Sequence, residues 1–311
     1  MFERIKTIYN GKKNERTYKK SGLKSRFSFD EFLCYRMQEM TPQQRNEILT
    51  VEELEDFERK CNQDEKRPIF NDKRIFHQYF GSFVHREIRL FEEMTFEEYK
   101  NFLEKHQKIF VKPPCGYAGQ GALVVTLEAL SEEDNLREDF LRKQKEGYLA
   151  EEYVLQDERY AKVYDGSLNT VRLCTMMTRE GTPFVFAATN QFGSEGSVVD
   201  NDNVTGIWAV IDVESGVVTD AEINAESGIV TEFHPNSGAA ILGFQNPKFQ
   251  EMKELVLTAA RVVPQCRLLG WDVCLTRNGD IELIEGNVTP ELDLFQYITK
   301  RGFRSFFEKY V

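Results

Sequence analysis

The pattern of apolar and polar residues divides the chain into a helical first part and a strand-rich second part. In residues 1–68, apolar side chains recur near helical spacing behind cap signals such as Ser-Phe-Asp-Glu and Thr-Pro, which predict helices. Further helices are predicted after Asn71 or Asp72 and at the Thr95-x-x-Glu98 capping box. In the second half, TVRLCTMMT and TPFVFAATNQF flank Arg-Glu-Gly and predict an antiparallel hairpin. We therefore predict an α+β fold with a small helical N-terminal region and a largely antiparallel core.

A glycine-rich loop lies between these two parts. The stretch KIFVKPPCGYAGQGALVVTLEAL predicts a strand ending at Lys112, a loop that contains Gly116, Gly119 and Gly121, and a second strand. The backbone N–H groups of such a loop can close over phosphate groups, and the lysine adds a positive charge. Because the lysine precedes the glycines, the pattern is not a Walker A loop. A plain hairpin loop is an equal alternative.

The strongest turn signal lies in GWDVCLTRNGDIELIEGN, where Asn-Gly at 278–279 predicts a hairpin with a two-residue turn. That turn sets a register in which Asp272 faces Glu285, and it places Leu283 and Glu285 on one face of the strand. Two carboxylates in directly opposite positions should repel each other. Together with Asn287 they supply oxygen ligands of the kind that Mg²⁺ binds. The alternative is a solvated strand end whose charges diverge.

Two other strands carry charged residues in unusual positions. LAEEYVLQ predicts a strand that ends at Glu151, Glu152, Tyr153 and Val154, whose backbone groups and carboxylate could read an adenine edge. An ordinary strand end is the stronger alternative for this segment in isolation. Arg172 stands inside an otherwise apolar run, so it needs an anion, either a protein carboxylate or a ligand phosphate or carboxylate.

Candidate substrate contacts lie in two polar segments. Asp200 and Asn201 belong to QFGSEGSVVDNDNVTG, and His234 belongs to FHPNSG. The first two could bind sugar hydroxyls or an amine, and the histidine could do the same or act as a base. Because Asp, Asn and Gly are turn formers, structural turns are an equal alternative.

Composition places the chain among ordinary proteins with one large or two modest domains. It has 311 residues, 41% hydrophobic and 29% charged, with a net charge of −11, so no basic field indicates nucleic acid. No apolar run approaches the roughly 18 to 20 residues of a membrane-spanning helix, and we expect no stable membrane insertion. The six cysteines form no CxxC motif, which favours reduced thiols and a cytoplasmic location. The four histidines show no metal-ligand spacing, so we expect no zinc site.

In this order, the motifs resemble the ATP-grasp superfamily over roughly residues 70–298. The segments similar to its sugar-transfer-associated group, which is related to enzymes of teichuronopeptide-type polymers, are FDEFLCYRMQEM, FVHREIRLFEEMTFEEYKNFL, SVVDN, FHPNSG and IEGNVTPELDLFQ. The resemblance implies an ATP-grasp fold, with two α+β subdomains at 69–160 and 161–311 holding ATP between them. The region 1–68 is too short for the α/β domain that usually precedes this fold. Gly270 stands where some ligases of the superfamily have an arginine.

The resemblance also implies which residues bind ATP and Mg²⁺. The residues that it assigns to the nucleotide are Lys73, Lys112, Gly116, Gly119, Gly121, Glu151, Glu152, Tyr153, Val154, Glu158 and Asn169. Within this set, the segment 151–154 forms the adenine hinge, and Glu158 or Asn169 meets the ribose. The metal ligands are Asp272, Glu285 and Asn287. Arg172 corresponds to the arginine that faces the γ-phosphate or an acyl phosphate, and with Lys112 it forms the catalytic pair.

The activity implied is ATP-dependent carboxylate–amine ligation through an acyl phosphate. The group accompanies polysaccharide biosynthesis, so the expected substrates are a small carboxylate and an amine, free or linked to a sugar nucleotide. The alternatives are a phosphotransferase acting on a sugar or alcohol and a non-catalytic nucleotide-binding module.

We expect Asp272→Asn combined with Glu285→Gln to weaken metal–nucleotide binding and to leave the fold at least as stable.

Overall fold

Two antiparallel sheets form the framework of the computed structural model, which describes residues 11–116, 119–194, 206–223 and 229–311. In chain order the strands are β1 (Ile88–Leu90), β2 (Lys108–Lys112), β3 (Leu123–Thr126), β4 (Leu149–Glu152), β5 (Thr170–Met177), β6 (Pro183–Phe192), β7 (Ile207–Ile211), β8 (Val218–Ile223), β9 (Ile229–Val230), β10 (Leu268–Leu275) and β11 (Ile281–Asn287). The small sheet has the order β1-β4-β2-β3, and the large sheet has the order β11-β10-β5-β6-β7-β8-β9. The predicted hairpin β5–β6 is confirmed, and so is the α+β class.

Helices lie before, between and after the strands. They are α1 (Gly11–Lys20), α2 (Phe29–Cys34), α3 (Pro42–Glu47), α4 (Val51–Cys61), α5 (Pro68–Asn71), α6 (Lys73–Phe80), α7 (Phe96–His106), α8 (Glu133–Glu146), α9 (Glu158–Val163), α10 (Phe249–Ala259), α11 (Leu292–Thr299) and α12 (Arg304–Tyr310). Short 3₁₀ turns are Leu23–Ser25, Met37–Glu39, Asp64–Lys66, Gly81–Phe83, Phe91–Glu93 and Leu127–Glu132. Among the described residues, no helix combines the length and the apolar character that crossing a membrane requires.

The predicted helix caps are present. Ser28, Thr41 and Thr95 each accept a hydrogen bond from the backbone N–H three residues on, and the Glu or Gln side chain at that position accepts one in return. This reciprocal pair satisfies two backbone donors that a helix start otherwise leaves without partners. Asp72 caps α6 by accepting from the N–H of Arg74. The cap at Asp72 therefore fixes Lys73 as the first residue of α6.

The small sheet has one apolar face and one polar face. Ile109, Val111 and Ala150 pack with residues of α7 and α8 in a core of their own. Side chains of a strand alternate between faces, so Phe110 and Lys112 of β2 and Glu151 of β4 lie on the opposite face. This second face turns toward the large sheet.

The large sheet is fully covered on one face and partly covered on the other. Trp271, Val273 and Leu275 of β10 pack with α10 and α6 in the main core. On the other face, the N-terminal helices and the C-terminal helices α11 and α12 bury Leu268 and Trp208. The part of that face left uncovered lies opposite the small sheet.

The helical N-terminal region is joined to the large sheet by buried polar contacts. Asn62, which is 1% exposed, donates to the carbonyls of Leu268 and Val288 at 2.8 and 3.1 Å and accepts from the N–H of Leu268 at 3.0 Å. Arg36 forms a buried ion pair with Glu222 of β8. The region therefore completes the cover of the sheet instead of forming a separate domain.

The β10–β11 hairpin forms with a different turn and register from those predicted. The N–H of Thr276 donates to the carbonyl of Asp280, which closes a three-residue loop, and Val273 pairs with Leu283. A β-bulge next to Asp272 then leaves two residues of β11 opposite one of β10, and this restores the pairing of Asp272 with Glu285.

The bulge also separates the two faces of β11. Leu283 is fully buried in the main core, whereas Glu285 lies on the cleft side of the sheet. The prediction that Leu283 and Glu285 share one face is therefore wrong. Without the extra residue, the alternation of side chains would place Glu285 in the apolar core.

We expect Asn62→Ala to lower the free energy of unfolding by about 2 to 4 kcal/mol, because it leaves one N–H and two carbonyl groups buried without a partner. Urea denaturation followed by circular dichroism measures the change. The control is Gln63→Ala, an exposed neighbour whose backbone hydrogen bond to Gln265 is retained. Equal losses for the two variants would contradict the proposed anchoring role of Asn62.

We expect Glu58→Gln to stabilise the protein at alkaline pH. Burial, reinforced by Asp293, raises the pKa of Glu58 to about 8 from an ordinary value of 4.5. The folded state therefore holds this proton more tightly than the unfolded state, and stability falls as the pH rises from about 4.5 to about 8. In thermal melts, Glu58→Gln should exceed the parent at pH 9 and match it near pH 5. Glu55→Gln, an exposed carboxyl on the same helix, should show no such divergence.

Candidate active site

A cleft lies between the polar face of the small sheet and the uncovered face of the large sheet. It contains a cavity of about 150 Å³. The residues of both sheets and of the connecting segments that line it include Lys73, Phe110, Lys112, Gly116, Gly119, Glu151, Glu152, Tyr153, Val154, Leu168, Thr170, Gln191, Asp272 and Glu285. A second cavity of about 500 Å³ adjoins the first and shares Lys73, Lys112, Glu151 and Glu285 with it. Most of the residues predicted for the nucleotide therefore meet in one place.

Three side chains of the β10–β11 hairpin converge at the centre of the cleft. Asp272 and Glu285 pair across the strands, and the amide Nδ2 of Asn287 lies 3.3 Å from Asp272 Oδ2 and 3.2 Å from Glu285 Oε1. Arg172 lies opposite Asp272 on β5 and holds both of its carboxylate oxygens, through Nε and Nη2, at 2.8 Å. The third guanidinium nitrogen pairs with Glu291. The anion that Arg172 needs is thus supplied by the protein itself.

The buried charges of this cluster affect one another. Burial and the neighbouring Glu285 raise the pKa of Asp272, and Arg172 offsets them only in part, so that this pKa lies at about 6. Burial also acts to raise the pKa of Glu285, but Lys112, Lys73 and Arg172 outweigh it and hold that pKa below its ordinary value. The pair therefore retains negative charge and would be stabilised by a further cation.

The donor set fits Mg²⁺ in its chemistry. Mg²⁺ is bound in proteins by one or two carboxylates together with water and phosphate oxygens. Asp272 and Glu285 supply two carboxylates, and rotation of the Asn287 amide would present its oxygen in place of its nitrogen. Among the described residues, no group of three or more His, Cys, Asp and Glu side chains forms an alternative metal site.

The small sheet and the segment before β1 place buried cations opposite this cluster. Lys112 Nζ lies 2.7 Å from Glu151 Oε1, and Arg86 Nε lies 3.0 Å from Glu151 Oε2. Arg86 also pairs with Glu282 of β11 at 3.1 Å. Although burial raises the pKa of Glu151, Arg86 and Lys112 hold it at about 2. The carboxylate of Glu151, predicted to belong to the adenine hinge, is therefore the shared partner of two cations.

Sequence reasoning did not find Arg86 or Glu291. Arg86 lies before β1 in FVHREIRLF, where charged and apolar residues are mixed and Arg89 stands close by, so nothing in its spacing distinguishes it from a surface arginine. Glu291 has a positive φ of 58°, which is uncommon for a residue with a side chain and is not readable from the sequence. Gly270 leaves room for Pro290, because a Cβ at 270 would lie only 3.1 Å from Pro290 Cβ, whereas its distance of 3.6 Å to Arg172 Cδ would be an ordinary contact.

The glycine loop and Lys73 are in contact. Lys73 Nζ donates to the carbonyl oxygen of Gly116 at 2.9 Å, and its backbone N–H donates to Pro114. Gly116 has a φ of 117°, a conformation that side chains rarely adopt. Gly121 packs near Pro113 and does not line the first cavity. Residues 117–118 lie outside the described part of the chain.

The residues predicted for the adenine hinge line the first cavity, whereas the two residues predicted for the ribose do not. Tyr153 and Val154 line the cavity. Glu158 is exposed at the start of α9 and lies outside it. Asn169 is 1% exposed, and its amide nitrogen donates to Gln156 and to the carbonyl of Tyr164, while its oxygen accepts from the N–H of a glycine. Neither predicted side chain has a free group that faces the cavity.

His234, one of the predicted substrate contacts, does not join the cluster. His234 is 1% exposed and stacks on Tyr164, with Nε2 at 2.8 Å from the carbonyl of Gly193 and Nδ1 accepting from the N–H of Asn236. Both ring nitrogens are occupied, which contradicts a role as base or sugar ligand. Asp200 and Asn201 lie outside the described residues.

The solved structures that match this chain include ligases and synthetases, all at low sequence identity. N5-carboxyaminoimidazole ribonucleotide synthetase from Thermotoga maritima has 12% identity and a TM-score of 0.40, covering 70% of this chain and 42% of its own. D-alanyl-alanine synthetase A from Vibrio cholerae has 15% identity and a TM-score of 0.46, covering 78% and 63%. This chain thus spans less than two thirds of the length of either protein. Among curated proteins, no sequence matches the chain.

The family comparison covers most of the chain. The model of the sugar-transfer associated ATP-grasp family matches residues 52–310. This range contains both sheets, the glycine loop and all of the residues that line the two cavities. The chain therefore belongs to the sugar-transfer-associated ATP-grasp family, and its two facing sheets form the ATP-grasp fold.

Proposed function

We propose that this protein is an ATP-dependent ligase that joins a carboxylate to an amine through an acyl phosphate. Its substrate would be a sugar acid or an amino acid in the biosynthesis of a bacterial surface polysaccharide such as a capsule. The observation that carries this proposal is the convergence of Asp272, Glu285 and Asn287 with buried cations where two cavities adjoin. Family membership supports the use of ATP, and the polysaccharide setting rests on the family's description.

The first cavity has the features of a nucleotide site. Its hinge end combines Tyr153 and Val154 with the apolar side chains of Phe110 and Leu168, which suits a purine ring. Its other end holds Lys112 and the carboxylate cluster. A nucleotide bound with its base at the hinge would extend its phosphates toward the cations.

The residues at the phosphate end can neutralise and position a transferring phosphoryl group. Lys112 is held by Glu151 and Lys73 by the carbonyl of Gly116, so neither needs large reorganisation to meet a phosphate oxygen. Mg²⁺ bound by Asp272, Glu285 and Asn287 would neutralise charge on the β- and γ-phosphates. The glycine loop would exclude water from the reacting groups.

The second cavity provides room for the acid and the amine. It adjoins the carboxylate cluster and is also lined by Arg67, Asn71, Arg172 and Thr289. A carboxylate oxygen would attack the γ-phosphorus and ADP would leave, giving an acyl phosphate. The amine nitrogen would then attack the acyl carbon, form the C–N bond, release phosphate and give up a proton. Arg172 would offset the charge of the acyl phosphate.

Binding of MgADP tests the metal assignment. We expect Glu285→Gln and Asp272→Asn each to weaken MgADP binding at least about tenfold, measured by isothermal titration calorimetry with Mg²⁺ and with EDTA. The control is Asp280→Asn, an exposed carboxyl in the turn of the same hairpin. Parent-like MgADP affinity in Glu285→Gln would contradict the metal site.

The two variants should differ in stability, which revises the expectation from the sequence. Glu285→Gln removes a like charge and should leave the free energy of unfolding unchanged or raised. Asp272→Asn takes away the bidentate partner of Arg172, which is 2% exposed, and should lower it by about 3 kcal/mol. Urea denaturation without nucleotide separates these outcomes. A loss of stability in Glu285→Gln equal to that in Asp272→Asn would contradict this account of the charges.

Turnover tests the reaction itself. Incubation with ATP, Mg²⁺ and a panel of sugar acids, amino acids and amines should give ADP and phosphate release that depends on both an acid and an amine. Lys112→Met should reduce this rate by about 10² to 10³ because it removes a positioned cation. A stable phosphorylated product formed without amine would show a phosphotransferase instead. Binding of MgADP with no turnover of any pair would favour a nucleotide-binding module.

A further inference from the structure

Gln191 combines deep burial with an amide nitrogen that has no hydrogen-bond partner among the described residues. The side chain is 1% exposed and lies on the wall of the first cavity. Within the part of the chain that the structure describes, its Nε2 has no hydrogen-bond partner, whereas its Oε1 accepts a long hydrogen bond of 3.3 Å from Thr170 Oγ1. A buried donor without an acceptor destabilises a fold, so such groups are rare and often have a functional cause.

The sheet register places Gln191 between the two ends of the cavity. On the cleft face of the large sheet, Arg172 is flanked by Asp272 on β10 and by Thr189 on β6. Two residues along, Thr170 pairs with Gln191, and these side chains lie on the same face. The Thr170–Gln191 row is therefore one step of the strand pleat away from the carboxylate cluster.

The direction from the carboxylate cluster to the Thr170–Gln191 row leads on toward the hinge residues 151–154. Gln156 follows the hinge residues and forms a β-bridge with Thr276, which lies beyond the end of β10. The side-chain oxygen of Gln156 also accepts a hydrogen bond from the N–H of Asn169, the residue before Thr170. A nucleotide with its base at Tyr153 and its phosphates at Asp272 would thus place its ribose over the Thr170–Gln191 row.

The geometry points to Gln191 as the residue that recognises a ribose hydroxyl of the bound nucleotide. This inference rests on the proposed function, from which it takes the orientation of the nucleotide. A hydroxyl both donates and accepts, so it can pair with whichever end of the amide faces the cavity. Glu158 and Asn169, the residues predicted for this role, have no free group at the cavity.

The test compares MgADP with its 2′-deoxy and 3′-deoxy analogues by isothermal titration calorimetry. For the parent, loss of one of the two hydroxyls should weaken binding about fivefold, in line with the loss of a single hydrogen bond. Gln191→Met should weaken MgADP binding by a similar factor and should bind that deoxy analogue as tightly as it binds MgADP. Gln191→Leu provides a second variant without the amide, and Gln265→Met is an exposed control.

Thermal melts without nucleotide separate recognition from a structural role. Because Gln191→Met removes a buried donor without a partner, its melting temperature should equal or exceed that of the parent. Weaker MgADP binding together with a lower melting temperature in both Gln191 variants would indicate a structural residue and overturn the inference.

The remaining outcomes distinguish this inference from the proposed function. Parent-like MgADP affinity in Gln191→Met, or an unchanged preference for MgADP over both deoxy analogues, would overturn the ribose contact alone. Failure of the parent to bind MgADP would overturn the proposed function and this inference with it.

Discussion

The bidentate pair between Arg172 and Asp272 is the interaction on which the candidate site depends. Without it, Asp272 and Glu285 would face each other on adjacent strands as two buried carboxylates, an arrangement that strongly opposes folding. Because Arg172 comes from β5, the pair also ties the β10–β11 hairpin to the middle of the large sheet. The guanidinium thus allows the protein to fold with its negative charges assembled before any metal or nucleotide is bound.

On the opposite wall of the cleft, buried charges are likewise paired with opposite charges. Lys112 and Arg86 share Glu151, and Arg86 reaches Glu282 on the far sheet, so each of these buried cations has a carboxylate partner. The N-terminal helices contribute by covering only part of the large sheet, with Asn62 joined to Leu268. The short N-terminal region therefore completes the core of the large sheet and leaves the polar part of that face open to the cleft.

Much of the framework could be predicted from local patterns. The caps at Ser28, Thr41 and Thr95, the β5–β6 hairpin and the sequence of strand, glycine loop and strand all depend on residues close together in the chain. The pairing of Asp272 with Glu285 was predicted from a turn that does not form, and a β-bulge restored it. A bulge has no fixed sequence signal, because it depends on how the whole hairpin packs. His234 failed as a candidate because its Nε2 contacts the carbonyl of Gly193, 41 residues away in sequence, and its Nδ1 accepts from the N–H of the nearby Asn236.

The sequence by itself determined the chemistry available at the site: two carboxylates and an amide on one hairpin, a lysine before a glycine loop, and an arginine inside a strand. It could do so because these features depend on short spacings and on side-chain types. Only the tertiary structure determined which charged side chains form ion pairs with one another. Arg172 and Asp272 are 100 residues apart, and Arg86 and Glu151 are 65 apart. Such contacts follow from strand order and sheet packing, which join distant segments, and no local pattern specifies them.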